Sequence, residues 1–266
     1  MKFERVYPDG ENTRFYLDAY IADPIQCLTR KAVLVIPGGG YGTVCSEREG
    51  EPIAMAFLAQ GYNAFVLHYT VDRKHTFPTQ LVEASVAVCH IRDHADEYGI
   101  DPEQVFAVGF SAGGHLCAGL GTQWKLEAVQ KAISRPYGYN RPKGVMLIYP
   151  VISGSLHGTS FRNLWATNEP TAEQLALSSI ENHIDKDSAP AFILHTANDQ
   201  IVHVRNSLIA ADAYSKAGVP FEMHIFPDAP HGAALGNSIT ACGNPGWDKP
   251  DIARWIRMAD EWTNKI

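Results

Sequence analysis

Apolar residues fall in short runs that recur along the chain with little polar alternation. Ala32–Ile36, Ala64–Leu67, Val105–Phe110, Val145–Tyr149 and Ala191–Leu194 are the five clearest. Runs of this length without alternation suit strands buried on both faces of a parallel sheet. A sixth run, Phe221–Phe226, carries polar residues at Glu222 and His224. Helical spacing separates the runs. Glu51–Gln60 ends at Gly61, a residue suited to the left-handed turn after a helix. Leu81, Ala84, Val88 and Ile91 recur at spacings of three and four within 81–98, which stops at Gly99. Val204–Ala217 stops at Gly218, and Pro250–Thr263 places Ile252, Trp255, Ile256 and Ala259 on one face. Strands alternating with helices predict an α/β chain built on a doubly wound, mostly parallel sheet. The opening segment, through Tyr20, reads as antiparallel edge strands. Two stretches break the alternation, about 123–143 and about 153–187. They are expected to form a small cap or lid on one domain spanning residues 1–266.

Composition narrows the picture. The hydrophobic fraction of 45% in 266 residues is enough for a sizeable core. A net charge of −7 gives no basic stripe for nucleic acid and no basic amphipathic segment for a membrane surface. The first residues lack the pattern of a secretory signal, and no apolar run reaches a membrane span, so a cytoplasmic protein is expected. Five cysteines, Cys27, Cys45, Cys89, Cys117 and Cys242, show no paired short spacing. They read as reduced and mostly buried small hydrophobes.

The chemistry concentrates at Gly109-Phe110-Ser111-Ala112-Gly113. This G-x-S-x-G pentad ends an apolar run and opens a small-residue helix, the strand–turn–helix context in which a serine hydroxyl is presented as a nucleophile. Serine needs a neighbouring base, and the base needs a carboxylate to fix its tautomer. On such a frame the acid and the histidine follow the serine in that order. Asp199 lies just beyond the run ending at Leu194, and His231 lies beyond Phe226 in Asp228-Ala229-Pro230-His231-Gly232. Loops at the carboxyl ends of parallel strands are where these sheets build sites. Asp228 reads instead as local capping or surface, and Asp212 sits inside a helix. Among other histidines, His115 on the elbow helix is the main rival base. His195 lies in a strand, and His203 opens a helix. His90 and His94 are four apart but lack the glutamate of a metalloprotease motif, so no metal is expected.

Pro37-Gly38-Gly39-Gly40-Tyr41 follows the first long run. Glycines there let main-chain amides turn toward a developing negative oxygen. The expected oxyanion donors are the N–H groups of Gly39 or Gly40 and of Ala112. No Lys-Ser/Thr follows the glycines, which argues against a nucleotide loop. Ser46-Glu47-Arg48-Glu49 follows the glycine loop, either as a substrate contact or, the preferred reading, as a solvated helix start with acidic residues. Trp124, Tyr137, Tyr139, Phe161, Trp165 and Trp247 fall in cap or loop segments, either as cap core or as surfaces for a sugar ring.

Together, Ile36–Tyr41, Gly61–Leu67, Gly109–His115 and Asn198-Asp199 resemble the α/β-hydrolase superfamily over nearly the whole chain. Within it the chain is similar to bacterial acetyl-xylan and feruloyl esterase-like carboxylesterases, related to the hormone-sensitive-lipase branch. Pro37 departs from the histidine many members carry there, which matters little where the donors are main-chain amides. The resemblance implies a serine carboxylesterase acting on small acyl groups, acetyl esters of carbohydrates among them, without a cofactor. A prolyl-oligopeptidase-type peptidase shares the order of the three residues, but this chain has no room for its propeller. A non-catalytic binding protein on the same fold is the remaining alternative.

Overall fold

The apolar runs form one eight-stranded sheet: β1 (Lys2–Val6), β2 (Tyr16–Ile21), β3 (Arg30–Ile36), β4 (Asn63–His68), β5 (Ile100–Phe110), β6 (Val145–Ile148), β7 (Ala191–Thr196) and β8 (Phe221–Phe226). The computed structural model describes residues 1–10 and 14–266. Residues 11–13, inside the opening segment read as edge strands, lie outside the described residues. The strand order is β1-β2-β4-β3-β5-β6-β7-β8. The β1–β2 and β2–β4 pairs are antiparallel and the rest are parallel. Parallel neighbours need crossovers, which the intervening helices supply. The order reverses at β3, between β4 and β5, so a crevice opens at the carboxyl ends of β3 and β5. The glycine loop and Ser111 both begin there.

Alternate residues of the central strands serve opposite faces. Val33, Val35, Phe106 and Val108 pack with Phe57 and Trp255 on one side. Ala32, Leu34, Ile36 and Ala107 pack with Leu81, Val88 and Leu116 on the other. This is why the runs show no polar alternation. The helices are α1 (Ser46–Glu49), α2 (Glu51–Ala59), α3 (Thr79–Asp93), α4 (Ala95–Tyr98), α5 (Ser111–Thr122), α6 (Glu127–Ile133), α7 (Gly158–Leu164), α8 (Ala172–Ser178), α9 (Arg205–Ala217), α10 (Ser238–Ala241), α11 (Pro250–Ala253) and α12 (Trp255–Thr263). The single helix expected over 81–98 is two, α3 and α4, parted at His94. That over 250–263 is likewise two, parted at Arg254. β5 starts five residues before the apolar run because Ile100 pairs with Arg30 ahead of a register shift.

Of the segments read as cap, 123–143 packs against α3. Val129 and Ile133 of α6 join its apolar cluster, and Asn140 donates to Ser85 Oγ at 3.0 Å. In 153–187, Phe161 of α7 packs with Val151 and Val202. The cysteine expectation needs correcting: only Cys89 and Cys117 are buried, while Cys27 and Cys242 are exposed. Both exposed residues sit in turns with left-handed backbone rather than in the sheet or its packed helices.

The elbow between β5 and α5 is held by contact. Ser111 has φ of 53°, unusual for a residue with a side chain. A Cβ on Gly113 would stand 2.2 Å from Ile36 O and 2.3 Å from Pro37 O. Both neighbours are backbone at the end of β3 and cannot swing aside. Gly113→Ala is therefore expected to lower unfolding free energy by at least about 2 kcal/mol, since overpacking against fixed atoms forces the main chain to move. The urea midpoint of the variant measures this, and a wild-type midpoint would contradict it.

Candidate active site

Four connections converge at the carboxyl edge of the sheet: the loops after β3, β5, β7 and β8. Ser111 opens α5 on the β5 elbow. Asp199 follows β7, and His231 follows β8. The structure brings all three together. His231 Nε2 lies 2.8 Å from Ser111 Oγ, and its Nδ1 lies 2.7 Å from Asp199 Oδ2. With Asp199 ionised, Nδ1 must carry the proton, which leaves the Nε2 lone pair facing the serine hydroxyl.

The carboxylate is built into its loop. Asp199 Oδ1 accepts from the N–H groups of Ile201 and Val202, both at 2.9 Å. Burial alone would raise its pKa. The His195 and His231 contacts, the charge His231 can carry and the Val202 amide outweigh burial and hold it well below the usual carboxylate range. Of the two imidazoles, His231 is the closer partner. His195 Nε2 is 3.5 Å from Asp199 and only 2.8 Å from Val202 O, so its proton points mainly at that carbonyl.

The rivals fall elsewhere. Asp228 is exposed and bonded to Asn198 and Lys249. Asp212 pairs with Lys216 on the outside of α9. His115 is buried between Tyr41 Oη at 2.7 Å and Ser178 O at 2.6 Å, so both its nitrogens are occupied. His90 Nε2 meets Tyr98 Oη at 3.0 Å.

Gly38, Gly39 and Gly40 border the serine. Gly39 has φ of +127°, and a Cβ there would stand 2.1 Å from Thr43 O, so only glycine fits. The carbonyls of Gly38 and Gly39 turn away and accept from Cys45, Gly42 and Thr43 amides. Ala112 is the second residue of α5, where an N–H has no preceding turn to bond. Asn163 of α7 donates to Gly40 O at 2.8 Å, tying the 153–187 segment to this loop.

A cleft of about 360 Å³ opens over Ser111 and His231. Gly39, Gly40, Arg48 and Glu49 line it from the β3 side, and His157 and Thr159 from the 153–187 segment. The helix start at Ser46–Glu49 is thus not simply solvated, as the sequence suggested. Glu49 is buried and Arg48 faces the cleft. Arg48 donates to Gly232 O and lies 4.2 Å over the Trp247 ring, whose Nε1 donates to His231 O at 3.1 Å. Among the aromatics considered for a sugar surface, Trp124 and Phe161 are buried, and Tyr137 is exposed away from the cleft. Trp247 instead braces the histidine loop. Nothing in local spacing announces Glu49, Arg48 or Tyr149 as partners of the serine site. A charged residue directly after a glycine loop was the one available signal.

A sharp strand–turn–helix carrying Gly109-Phe110-Ser111-Ala112-Gly113 after β5, on a mostly parallel sheet flanked by helices, defines the α/β-hydrolase fold. The BD-FAE family model matches residues 17–213, and the chain belongs to the BD-FAE family. Endo-1,4-beta-xylanase B of Butyrivibrio fibrisolvens is 40% identical over 215 residues, 78% of this chain and 33% of that protein. An acetylxylan esterase of Xylanibacter ruminicola is 29% identical over 213 residues, 77% of this chain and 42% of that protein. The chain thus spans a third to less than half of these relatives. A solved acetyl ester-xyloside bifunctional hydrolase from Caldicellulosiruptor lactoaceticus is 30% identical with a TM-score of 0.78, covering 98% of this chain and 90% of that one. No helix among the described residues is long and apolar enough to cross a membrane.

The carboxylate makes a pH prediction. A depressed folded-state pKa means Asp199 contributes stability that is complete above its unfolded value, about 3.9, and is lost as pH falls through the lower folded value. The gap in unfolding free energy between wild type and Asp199→Asn should be constant from pH 7 to 5 and narrow below about pH 4. Urea titrations across that range test it; a gap indifferent to pH would contradict the assignment of charge.

Proposed function

We propose that the chain is a serine carboxylesterase that removes small acyl groups, acetyl above all, from carbohydrate esters through an acyl-enzyme. The observation that carries this reading is the unbroken hydrogen-bonded chain Ser111–His231–Asp199 at the floor of a cleft. The acetylxylan esterase and acetyl ester-xyloside hydrolase relatives support the substrate class. A cleft of about 360 Å³ lies at the small end of ligand pockets, which suits a short acyl group with one or two sugar rings beyond it. Glu47, Arg48 and Thr159 in the lining offer polar groups to a hydroxylated alcohol.

In this mechanism His231 Nε2 takes the Ser111 proton as Oγ attacks the ester carbonyl. Asp199 keeps the imidazole oriented and balances its positive charge. The amides of Gly39 or Gly40 and of Ala112 receive the oxyanion. Among the described residues the Gly39 and Gly40 N–H groups have no protein acceptor, which leaves them free for it. Collapse of the tetrahedral species expels the alcohol, which takes the proton from His231. Water then attacks the acyl-enzyme with His231 again as base. The 153–187 segment acts as a lid: His157 and Thr159 roof the cleft, and Asn163 anchors the roof to the glycine loop. No metal or cofactor enters the scheme, and the protein's partner is the ester itself.

Ser111→Ala should abolish hydrolysis of p-nitrophenyl acetate and labelling by a fluorophosphonate while leaving the unfolding midpoint near wild type. Retained turnover would end the proposal. Asp199→Asn should lower kcat by about 10²–10⁴-fold on the precedent of serine triads. If Asp228→Asn does so instead, the acid is misassigned. Acetylated xylo-oligosaccharides should be deacetylated, and p-nitrophenyl acetate should exceed p-nitrophenyl octanoate in kcat/KM by at least about tenfold, the scale on which a pocket discriminates chain length. Equal rates would remove the small-acyl assignment.

A further inference from the structure

Glu49 is a buried carboxylate that the mechanism above does not use. It bridges two parts of the site. Its Oε2 accepts from Gly38 N–H at 2.8 Å, and its Oε1 accepts from Tyr149 Oη–H at 2.8 Å. Tyr149 Oη in turn accepts from Ala234 N–H at 3.0 Å, in the loop that carries His231. The Tyr149 ring meets the His231 ring edge-on, with centroids 4.9 Å apart. Tyr149 itself has φ of 38°, a strained backbone for a bulky residue. A Cβ on Gly38 would stand 2.7 Å from Glu49 Oε2 and 3.0 Å from Ser111 Cβ, so carboxylate, glycine loop and nucleophile meet around one residue.

Resting on the esterase reading, we propose that Glu49 is a positioning residue that sets the glycine loop and the histidine loop in register with Ser111. Through Gly38 it turns that amide away from the oxyanion, which fixes the orientation of the Gly39 and Gly40 peptides that follow. Through Tyr149 and Ala234 it holds the histidine loop from beneath. Its charge adds a second negative group, besides Asp199, for the imidazolium that forms on His231. Burial is the largest influence and leaves the Glu49 pKa raised above the ordinary carboxylate value, although the Tyr149 and Gly38 hydrogen bonds, His231 and Arg48 pull it back down. Two donors aimed at its two oxygens stabilise the ionised form. Around Glu49 the ionisable neighbours are Arg48 and Cys45 beside it in sequence, Tyr69 after β4, Tyr149 after β6 and His231. Around His231 they are Asp199, Tyr149, Glu49 and His157.

The test compares wild type, Glu49→Gln and Tyr149→Phe with p-nitrophenyl acetate from pH 5 to 9. Glutamine keeps the shape but not the charge. For Glu49→Gln, kcat should fall about 10–100-fold with KM within about threefold, the scale of a small misplacement of reacting groups. The acid limb of kcat/KM should move to lower pH, because an imidazole with less negative charge nearby is harder to protonate. Tyr149→Phe should lower kcat while leaving the acid limb in place, since the carboxylate remains. Unchanged kcat with an unmoved limb in Glu49→Gln would overturn the proposal. So would a rise in kcat, which would mean the charge acts chiefly against the oxyanion. If Glu49→Gln does not fold, Tyr149→Phe decides: slowed fluorophosphonate labelling and reduced kcat support the bridge, and wild-type values refute it. Wild-type protein inert toward both ester and probe would instead overturn the esterase reading itself, and this inference with it.

Discussion

The site depends on how closely two backbones approach at the end of the sheet. α5 begins so near the last residues of β3 that only a bare Cα fits at Gly113, against Ile36 O and Pro37 O. That contact sets the distance between the serine elbow and the glycine loop. It also explains the left-handed backbone at Ser111: the chain must reverse within one residue to place a helix against β3. The packed sheet beneath, buried on both faces, supplies the rigidity that keeps such a strained turn in place. The Ser111 hydroxyl and the glycine-loop amides are thus held in place by the fold itself.

The polar groups are held by a second layer of specific bonds. Asp199 is fixed by two amides of its own loop and two imidazoles. The histidine loop is held by Arg48 at Gly232 O, by Trp247 at His231 O and by Tyr149 at Ala234 N. Asn198 adds a bond to the Ala229 amide, joining acid loop to histidine loop. Each bond is modest alone. Together they tie the loop carrying His231 to the β3, β6 and β7 sides of the site.

Much of this was legible in the sequence because periodicity and short motifs are local properties. The five non-alternating runs became the buried parallel strands, and the G-x-S-x-G turn fell where a strand meets a helix. Asp199 and His231 could be placed because loops after successive parallel strands share one edge. Glu49 was misread. Its position in a charged run resembles a helix start in water, and one of its two hydrogen-bond partners, Tyr149, is a hundred residues away. Arg48 and Trp247 were obscure for the same reason: their partners lie on the last loop of the fold. Where helices were read as continuous, as over 81–98 and 250–263, the hydrophobic stripe continued through a break that a stripe cannot register.

His115 carries a consequence for acid tolerance. It joins the glycine-loop residue Tyr41 to the carbonyl of Ser178 in α8, and burial drives its pKa down to about 4. An imidazole that ordinarily titrates near 6.5 is therefore kept neutral inside the fold. Acidification from about pH 6.5 toward 4 favours the unfolded chain, which takes up this proton more readily. Once charged, the ring would present a hydrogen to Tyr41 Oη on the side where it now accepts one. The uptake of that proton would thus act at the seam between the 153–187 segment and the elbow helix.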